Sequence, residues 1–404
     1  MTERSTGPAN VVGAPVRGPD FWGRRADADA LWRQLEHGSV LLTGPRRHGK
    51  SSLMHALADA PRPDWTVEYF DVEYVQTPSE LLIELTAAVL AHQRLRAALG
   101  TIANVPGRLA GWIGGLVGEV GIGELKISLR ERLGDDARWP ELTEQLLAVL
   151  DRADGNVLLI VDEFPMMVGN FLERDEPGAI QFLKWFRAIR QRRGGGRLRF
   201  LLGGSVNIEP RLERIGQQAL VADLERFALR PFVRDDAERF VTAILEAEDA
   251  RYEEGVPRKI VEVAATGVPF FLQVLVSEVL AEARRQHRGA IVPDVADVYH
   301  ACVLGPANRA RFSHYHSRLK EHYGALEEPA RLVLDELVLD QPRTCDALAT
   351  ALAHGSESAA VLPAVLALLE SDYYVECDGD RVQFSSGFLR AWWTRHAARS
   401  RGRS

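Results

Sequence analysis

The stretch SVLLTGPRRHGKSSLM at residues 39–54 constrains the fold of this chain more than any other. Its apolar run leads into a loop with two glycines, and the residues after the loop open a segment of helical character. The pattern therefore predicts a strand, a loop and a helix in succession. The segment Gly44-Pro45-Arg46-Arg47-His48-Gly49-Lys50-Ser51 matches the phosphate-binding loop pattern at every defined position. Strand, loop and helix are the setting that this pattern requires, and together they predict an α/β fold.

Each defined residue of the loop has a chemical reason to be there. Its glycines let successive backbone N–H groups point at phosphate oxygens, and the following helix directs its positive end at them. Lys50 is expected to neutralise charge on the β- and γ-phosphates of ATP, and the Ser51 hydroxyl to coordinate Mg²⁺. His48 stands at a variable position, where we expect it to face solvent without a catalytic role. The residues expected to hold the nucleotide phosphates are Gly44, Pro45, Arg46, Arg47, His48, Gly49, Lys50, Ser51 and Ser52.

A second motif, LLIVDEF at residues 158–164, is an apolar run that ends in two acids. Such a run is typical of a strand buried on both faces. Mg²⁺ needs a carboxylate near the loop, and hydrolysis needs a group that orients water. Asp162 is therefore expected to hold the metal through its waters, and Glu163 to polarise the attacking water. Two acids at a strand end can also be solvated charge, but the loop upstream favours the functional interpretation.

A third apolar run, FLLGGSVN at residues 200–207, ends in small and polar residues. Ser205 is the first choice for a side chain that senses the γ-phosphate and Asn207 the alternate, although a plain turn after a strand would have the same pattern. Arg226 precedes a further short run and could reach a neighbouring phosphate as an arginine finger. A surface ion pair with Asp223 or Glu225 is the alternative interpretation of that arginine.

Further apolar runs alternate with helical segments up to residue 232, which predicts βαβ units and a parallel sheet with helices on both faces. Residues 98–137 have no regular pattern, and ELKISLRERL within them is a possible strand. Four helix-like segments follow residue 233. Three more helix-like pieces then precede YYVECDGDRVQF, which predicts two strands around a Gly-Asp turn. Three helices and a hairpin predict a winged helix, a variant of the helix-turn-helix.

These patterns divide the chain into five parts. We expect a flexible leader at residues 1–19, an α/β domain at 20–232, a helical lid domain at 233–310, a winged-helix domain at 311–396 and a basic tail at 397–404. The length of 404 residues suits two or three domains.

Composition narrows the class of protein. The net charge of −7 gives no general attraction to nucleic acid or to anionic membranes. Three widely spaced cysteines support neither a disulfide framework nor a zinc site, so a reducing cytoplasm fits best. The first residues lack the apolar core of an export signal. The apolar stretch at 109–123 is short and interrupted by Glu119, so no membrane span is expected.

Four segments together resemble the archaeal-type AAA+ ATPases, which lie near the STAND NTPases and are related to the origin-recognition ATPases. The segments are FWGRRADADALWRQLEHGSVLLTGPRRHGKSSL, LLIVDEF, LERFALRPFVRDDAERFV and ATGVPFFLQVLVSEVL. The resemblance covers most of residues 20–395. It implies a P-loop NTPase of the AAA+ type with a helical lid and a C-terminal winged helix.

The resemblance also implies an adenine pocket near Phe21, Gly23 and Arg24, and a Gly267-x-Pro269 turn that places the helical lid over the nucleotide. Many AAA+ proteins have a second sensor arginine at that turn, and this sequence has none there. The departure favours a slow switch over vigorous ring-type hydrolysis. An ordinary helix-to-helix turn would explain the same glycine and proline.

A phosphate-binding loop indicates that nucleotide binds, not what the binding is for. Residues 325–380 contain 12 Asp or Glu but only 2 Arg, and the apolar SAAVLPAVLALLESDYY stands where a recognition helix would need cations. We therefore expect an ATPase of low turnover that switches between ATP and ADP and acts on a protein partner. The alternative is a DNA-associated ATPase of the origin-recognition or transposition-helper kind, and a scaffold that keeps the loop for stability is the third hypothesis. The sequence leaves oligomeric state and nucleotide-dependent self-association open.

Two clusters of arginine support the DNA alternative, although solvated helix ends and a loose tail would also contain such residues. They are Arg187, Arg190, Arg192, Arg193, Arg197 and Arg199 around one helix end, and Arg390, Arg395, Arg399, Arg401 and Arg403 near the C-terminus.

Overall fold

The computed structural model describes residues 7–101, 107–114, 122–133, 138–192, 196–205, 207–286, 290–291, 295–354 and 358–400. The chain divides into two compact units. The sheet unit is Arg24–Leu229, and the helical unit combines Met1–Gly23 with Arg230–Ser404.

A five-stranded parallel sheet organises the sheet unit, with the strand order β2-β3-β4-β1-β5. The strands are β1 Val40–Thr43, β2 Trp65–Asp71, β3 Asn156–Asp162, β4 Leu198–Gly203 and β5 Glu225–Ala228. Successive side chains of β3 and β4 are almost all buried, so both faces of the sheet are covered. Because all strands are parallel, their carboxyl ends meet at one edge. The loop after β1 and the acids after β3 therefore open onto the same edge, with β4 between them.

Helices connect and cover these strands, and α1, α2, α3 and α8 pack against the sheet. Their bounds are α1 Arg25–His37, α2 Lys50–Asp59, α3 Pro78–Ala91, α4 Gln93–Thr101, α5 Gly107–Ile113, α6 Ile122–Leu133, α7 Trp139–Leu150, α8 Phe164–Arg174, α9 Glu176–Arg192 and α10 Glu209–Arg214. The start of α3 follows from its sequence, because Pro78 fits the first turn and the Thr77 hydroxyl accepts the Glu80 N–H at 3.2 Å. The parallel α/β sheet predicted from sequence is confirmed.

The predicted strand in ELKISLRERL is wrong, because this segment is helix α6. Leu125, Leu129 and Leu133 recur every four residues and bury one face against the core, whereas Ile127 on the opposite side is 62% exposed. Residues 98–137 contain α4, α5 and α6 where they are described. The remaining positions of this region lie outside the described residues.

The helical unit contains ten α-helices among its described residues. They are α11 Arg234–Ala247, α12 Val256–Ala264, α13 Pro269–Arg285, α14 Ala296–Val298 with a π-helical turn at Tyr299–Val303, α15 Arg309–Phe312, α16 His314–His322, α17 Glu327–Leu339, α18 Cys345–His354, α19 Leu362–Ser371 and α20 Gly387–Ser400. One apolar cluster extends through this unit from Phe232 to Trp393. The predicted division at residue 310 therefore falls inside a continuous core, and it stays a prediction.

A small antiparallel sheet of order β6-β8-β7 lies in the last part of the helical unit. Its strands are β6 Arg343–Thr344, β7 Val375–Asp378 and β8 Arg381–Phe384. The turn between β7 and β8 contains Gly379 with φ +61°, a conformation that suits glycine. The hairpin predicted from the Gly-Asp pair is therefore present, together with the helices α17, α18 and α19 before it.

The predicted flexible leader is wrong for residues 7–19, which pack on the helical unit. Pro8 is buried, and Val12 lies against the apolar cluster. The Ala9 N–H donates to Asp20 Oδ1 at 2.8 Å, and the Asn10 side chain donates to the carbonyl of Gln273 at 3.2 Å. Contacts of this kind cannot be read from the small and polar composition of the segment.

Within the described residues, no helix is long and apolar enough to cross a bilayer.

Candidate functional site

The loop after β1 is shaped by three residues with positive φ. Gly44 has φ +142°, Arg47 +72° and Gly49 +89°. At Gly44 a Cβ would lie 2.7 Å from the carbonyl oxygen of Leu229, so glycine is required for space as well as for conformation. Gly49 is the left-handed residue directly before α2. The loop thus bends where its glycines allow, and the N-terminus of α2 opens into it, as an anion site requires.

Lys50 is the first residue of α2 and is only 6% exposed. Its Nζ donates to the carbonyl oxygens of Gly44 and Pro45, at 2.7 and 2.8 Å. The ammonium group therefore lies inside the loop that it was predicted to serve, bound to the loop's own backbone. Ser51 follows at the start of the helix and is half-buried, and Ser52 is buried.

His48 corrects the sequence-based prediction, because it is 3% exposed and does not face solvent. Its Nδ1 lies 3.2 Å from the carbonyl oxygen of Arg46. Burial lowers the pKa of His48 to about 3, and the charges of Lys50 and Arg24 act in the same direction. The ring is therefore neutral, and it packs inside the loop as a structural residue.

Arg24 is buried beside the same loop. Its guanidinium pairs with Asp27 at 3.0 Å and donates to the carbonyl oxygen of His48 at 3.4 Å. The arginine predicted for an adenine pocket thus braces the backbone of the loop in this structure. Its contact with adenine stays a prediction.

Asp162 ends β3 and is 3% exposed. Its Oδ2 accepts the Tyr69 hydroxyl at 3.0 Å, and its Oδ1 accepts the Glu163 N–H at 3.0 Å. One hydrogen bond to each carboxylate oxygen fixes the orientation of the group and leaves lone pairs for further ligands.

Glu163 has φ +58°, a left-handed conformation between β3 and α8 that is rare for a residue with a side chain. Its Oε2 accepts two hydrogen bonds from Ser205, from the amide at 2.9 Å and the hydroxyl at 3.0 Å. Burial raises the pKa of Glu163 and the charge of Asp162 raises it further, whereas Ser205 and Lys50 lower it. The net effect is a raised pKa of Glu163.

The two motifs converge. Lys50 is close enough to Glu163 for its charge to act on that carboxyl group, and α2 packs against β3. The Ser51 hydroxyl and the Asp162 carboxylate supply hard oxygen donors of the kind that Mg²⁺ accepts, together with phosphate and water. These two residues therefore fit the metal predicted from the sequence.

Two further predicted residues have local partners. The Arg226 guanidinium donates to Glu209 Oε1 at 2.6 and 3.0 Å, so the predicted pairing with Asp223 or Glu225 is wrong. Asp223 is bound by Arg190 instead, at 2.8 Å. Glu225 neighbours Arg226 on β5, where successive side chains point to opposite faces. The arginine-finger role of Arg226 stays a prediction.

Asn207, the alternate to Ser205, has a local structural contact. Its Oδ1 accepts the Glu209 N–H at 3.2 Å, at the start of α10. Ser205 rather than Asn207 therefore contacts the acidic pair.

The remaining predicted residues belong to the helical unit. Phe21 is half-buried, and Gly23 has φ +71° and lies against the ring of Phe232. Trp22 packs on Phe232 and Phe240, with ring centroids 6.1 and 5.5 Å apart. Trp22, the neighbour of Phe21, therefore forms an aromatic cluster with Phe232 and Phe240. The contact of Phe21 with adenine stays a prediction.

The turn before α13 is tight. The carbonyl of Gly267 accepts the Phe232 N–H at 2.9 Å, and a Cβ at residue 267 would lie 2.0 Å from the Phe232 carbonyl oxygen. Pro269 is the first residue of α13. Close backbone packing thus explains the glycine of the Gly267-x-Pro269 turn.

Sequence reasoning missed Tyr69, Asp71 and His55. Asp71 is the register partner of Asp162 across β2 and β3, and Tyr69 precedes it by two residues on the same face. The His55 ring stacks on Tyr69 with centroids 4.1 Å apart. The polar end of WTVEYFD is the signal that could have indicated these residues, because the carboxyl ends of parallel strands share an edge.

The chain resembles known proteins in its fold. No family model matches the chain, and neither does any curated protein. Among solved structures, a Walker-type ATPase of Pyrococcus abyssi is similar with a TM-score of 0.62 and 17% identity, over 96% of this chain and 98% of that protein. The ORC2 protein of Aeropyrum pernix, solved as ADPNP and ADP complexes, gives a TM-score of 0.50 and 13% identity, over 95% and 97%.

The chain therefore has the fold of the AAA+ P-loop ATPases related to the origin-recognition proteins. The similarity extends through the helical C-terminal region as well as the five-stranded sheet. The fold predicted from the resemblance is confirmed at this level.

Proposed function

We propose that this chain binds ATP with Mg²⁺, hydrolyses it slowly and works as a conformational switch of the STAND/AAA+ type on a protein partner. The observation that carries the proposal is the convergence of Lys50, Asp162 and Glu163 at one edge of the sheet. A cation, a metal-binding carboxylate and a base are the parts that phosphoryl transfer to water needs.

The chain's own residues have separate tasks in this function. Lys50 exchanges the carbonyls of Gly44 and Pro45 for phosphate oxygens when nucleotide enters. The bent loop and the N-terminus of α2 bind the triphosphate. Glu163 orients the attacking water and takes its proton. Ser51 and Asp162 would hold Mg²⁺, which would supply positive charge to the phosphates.

Low turnover is supported by the state of Glu163. Ser205 donates two hydrogen bonds to one of its carboxylate oxygens. A carboxylate oxygen that already accepts two hydrogen bonds is less available to accept a proton from water. The absence of an arginine at the Gly267-x-Pro269 turn supports the same conclusion.

A protein partner is favoured by the last part of the helical unit. We assign α17, α18, α19 and the β7–β8 hairpin as a winged helix. Its helix α19 buries Leu362, Val365 and Leu369 and contains no basic residue. Without cations, this helix lacks the charged side chains that neutralise DNA phosphates.

DNA binding is the second candidate, but among the arginines that suggested it, those with described side chains have partners within the chain. Arg187 and Arg190 pair with Asp223, and Arg192 with Glu144. The others that are described bond to backbone carbonyls: Arg197, Arg199, Arg390 and Arg395. Arg193, Arg401 and Arg403 lie outside the described residues, and the side chain of Arg399 is also outside them.

Glu163→Gln tests the enzymatic part of the proposal. The variant is expected to bind ATP as the wild type does and to release phosphate roughly 10²- to 10³-fold more slowly, because the amide cannot accept a proton. Glu173→Gln, an exposed carboxylate later in α8, is the matched control and should keep wild-type turnover. Unchanged turnover of Glu163→Gln would show that another group is the base.

The partner is tested by affinity capture with the Glu163→Gln protein in ATP and in ADP. A protein that is retained in one nucleotide state and lost in the other supports the switch. A DNA shift assay at physiological salt tests the second candidate function, DNA binding. Retardation of DNA by the ATP-bound protein would favour DNA over a protein partner.

A further inference from the structure

Tyr69 provides a contact to Asp162 that the loop and acid motifs do not account for. It lies on β2 opposite Ile160 of β3, and its hydroxyl reaches Asp162 Oδ2 at 3.0 Å. A phenol hydroxyl is a hydrogen-bond donor at neutral pH, so it can hold one oxygen of the Asp162 carboxyl group in place.

His55 connects this tyrosine to the helix that follows the loop. It is buried on α2, one turn after Ser51, and its ring stacks on Tyr69 with centroids 4.1 Å apart. A continuous set of contacts therefore runs from the helix that presents Ser51, through the two rings, to the carboxylate of Asp162.

We propose that Tyr69, backed by His55, is a positioning residue that holds the Asp162 carboxylate and α2 in the relative arrangement that a divalent cation needs. The inference rests on the proposed function, because Ser51 and Asp162 are the predicted ligands of that cation. Loss of a residue that hydrogen-bonds to a metal ligand and orients it typically lowers metal affinity 10- to 100-fold.

The charges at this strand end explain why such a donor is needed. Asp71 is the register partner of Asp162, so two carboxyl groups lie at the same end of neighbouring strands. Repulsion between two carboxylates favours rotation of the Asp162 group away from Asp71. The Tyr69 hydroxyl and the Glu163 N–H hold one oxygen each and oppose that rotation.

A phenylalanine would fill the same volume as Tyr69, so the Tyr69→Phe substitution isolates the hydroxyl. Tyr74→Phe is the matched control, because Tyr74 is an exposed tyrosine of the same unit whose hydroxyl contacts Lys126. The measurement is the dissociation constant for ATPγS by calorimetry at increasing Mg²⁺ concentrations and in excess chelator.

We expect the Mg²⁺ concentration for half-maximal tightening to rise about tenfold or more in Tyr69→Phe. Binding in chelator should stay within about twofold of wild type, and Tyr74→Phe should match wild type in both. Unchanged Mg²⁺ dependence in Tyr69→Phe overturns the inference. An equal loss of binding with and without Mg²⁺ also overturns it, since that pattern belongs to a general structural role.

The stacking contact is tested separately at His55. His55→Phe keeps an aromatic ring against Tyr69, so the Mg²⁺ concentration for half-maximal tightening should stay within about twofold of wild type. In His55→Ala this concentration is expected to rise about as much as in Tyr69→Phe. Equal behaviour of the two variants contradicts the role of the stack. A wild-type protein that fails to bind ATPγS under any condition would instead remove the proposed function itself.

Discussion

The amide and the hydroxyl of Ser205 both donate to the same carboxylate oxygen of Glu163, at 2.9 and 3.0 Å. The contact arises because β3 and β4 are adjacent parallel strands whose carboxyl ends lie side by side. Gly204 leaves room for it, since a Cβ at that residue would lie 2.7 Å from Pro165 Cδ and 3.0 Å from Glu163 Oε2. Ser205, which follows β4, thus fixes the position of the Glu163 carboxyl group, which follows the neighbouring strand β3.

Ser205→Ala is expected to shift the acid limb of the pH–rate profile to higher pH. Hydrogen bonds from Ser205 lower the pKa of Glu163, so loss of the hydroxyl lets that pKa rise further and leaves less ionised base at low pH. One hydrogen bond to a charged group contributes about 1.5–3 kcal/mol, so turnover at the acid end should fall roughly tenfold. Phosphate release between pH 5 and 9 measures the effect. Ser358→Ala, an exposed hydroxyl in the helical unit, is the control, and superposable profiles would contradict the prediction.

Lys50→Ala is expected to weaken ATP binding roughly 10- to 100-fold, because charge-assisted hydrogen bonds to phosphate are lost. The thermal shift that ATP gives the wild type should largely disappear. Lys184→Ala, an exposed lysine of α9, is the control and should retain both affinity and shift. Unchanged ATP affinity in Lys50→Ala would favour the hypothesis of a scaffold that keeps the loop for stability.

The sheet and the loop could be predicted because their signals are local. A buried parallel strand is a continuous apolar run, and the loop pattern specifies its own strand and helix. The segment at residues 124–133 shows where this reasoning failed. Leu125, Ile127 and Leu129 alternate as in a strand, but the buried set is Leu125, Leu129 and Leu133, while Ile127 is exposed. Because Ile127 is apolar although it lies on the solvated face of the helix, the sequence shows the two-residue alternation of a strand.

The site divides in the same way. Lys50 and Asp162 follow from motifs, whereas the burial of His48 and the contact of Tyr69 with Asp162 depend on packing between distant segments. The loop pattern leaves the position of His48 unspecified, so nothing in the sequence announces a neutral buried imidazole. Tyr69 is separated from Asp162 by more than ninety positions. Only the register of β2 with β3 brings these two residues together.

Gly267→Ala is expected to destabilise the helical unit by about 2–3 kcal/mol. The added Cβ would lie 2.0 Å from the Phe232 carbonyl oxygen, which is backbone and cannot move aside as a flexible side chain could. Thermal unfolding measures the loss. Gly111→Ala is the control, because its Cβ meets nothing within 4 Å on an exposed face of α5, and it should stabilise by about 0.5–1 kcal/mol. A wild-type melting temperature for Gly267→Ala would contradict the tight turn.

Glu68→Gln is expected to gain stability over the wild type as pH rises. Glu68 lies on β2 with its side chain 18% exposed, and burial raises its pKa to about 7. Between roughly pH 4.5 and 7 the carboxyl group is ionised in the unfolded chain but protonated in the fold. The unfolded state then binds fewer protons, so wild-type stability falls with rising pH across that window, by about 2–3 kcal/mol in total. Glutamine keeps the packing and does not titrate.

The difference between Glu68→Gln and wild type separates this effect from that of His48. The pKa of His48 is lowered to about 3, so its contribution has the opposite sign and is lost as pH falls below the ordinary histidine range. It is the same in both proteins and cancels in the comparison. The free energy of unfolding, measured with denaturant at pH 5 and pH 8, should favour Glu68→Gln over wild type more strongly at pH 8. Glu225→Gln, an exposed carboxylate on β5, should show no such trend, and a pH-independent difference for Glu68→Gln would mean that Glu68 is ionised throughout.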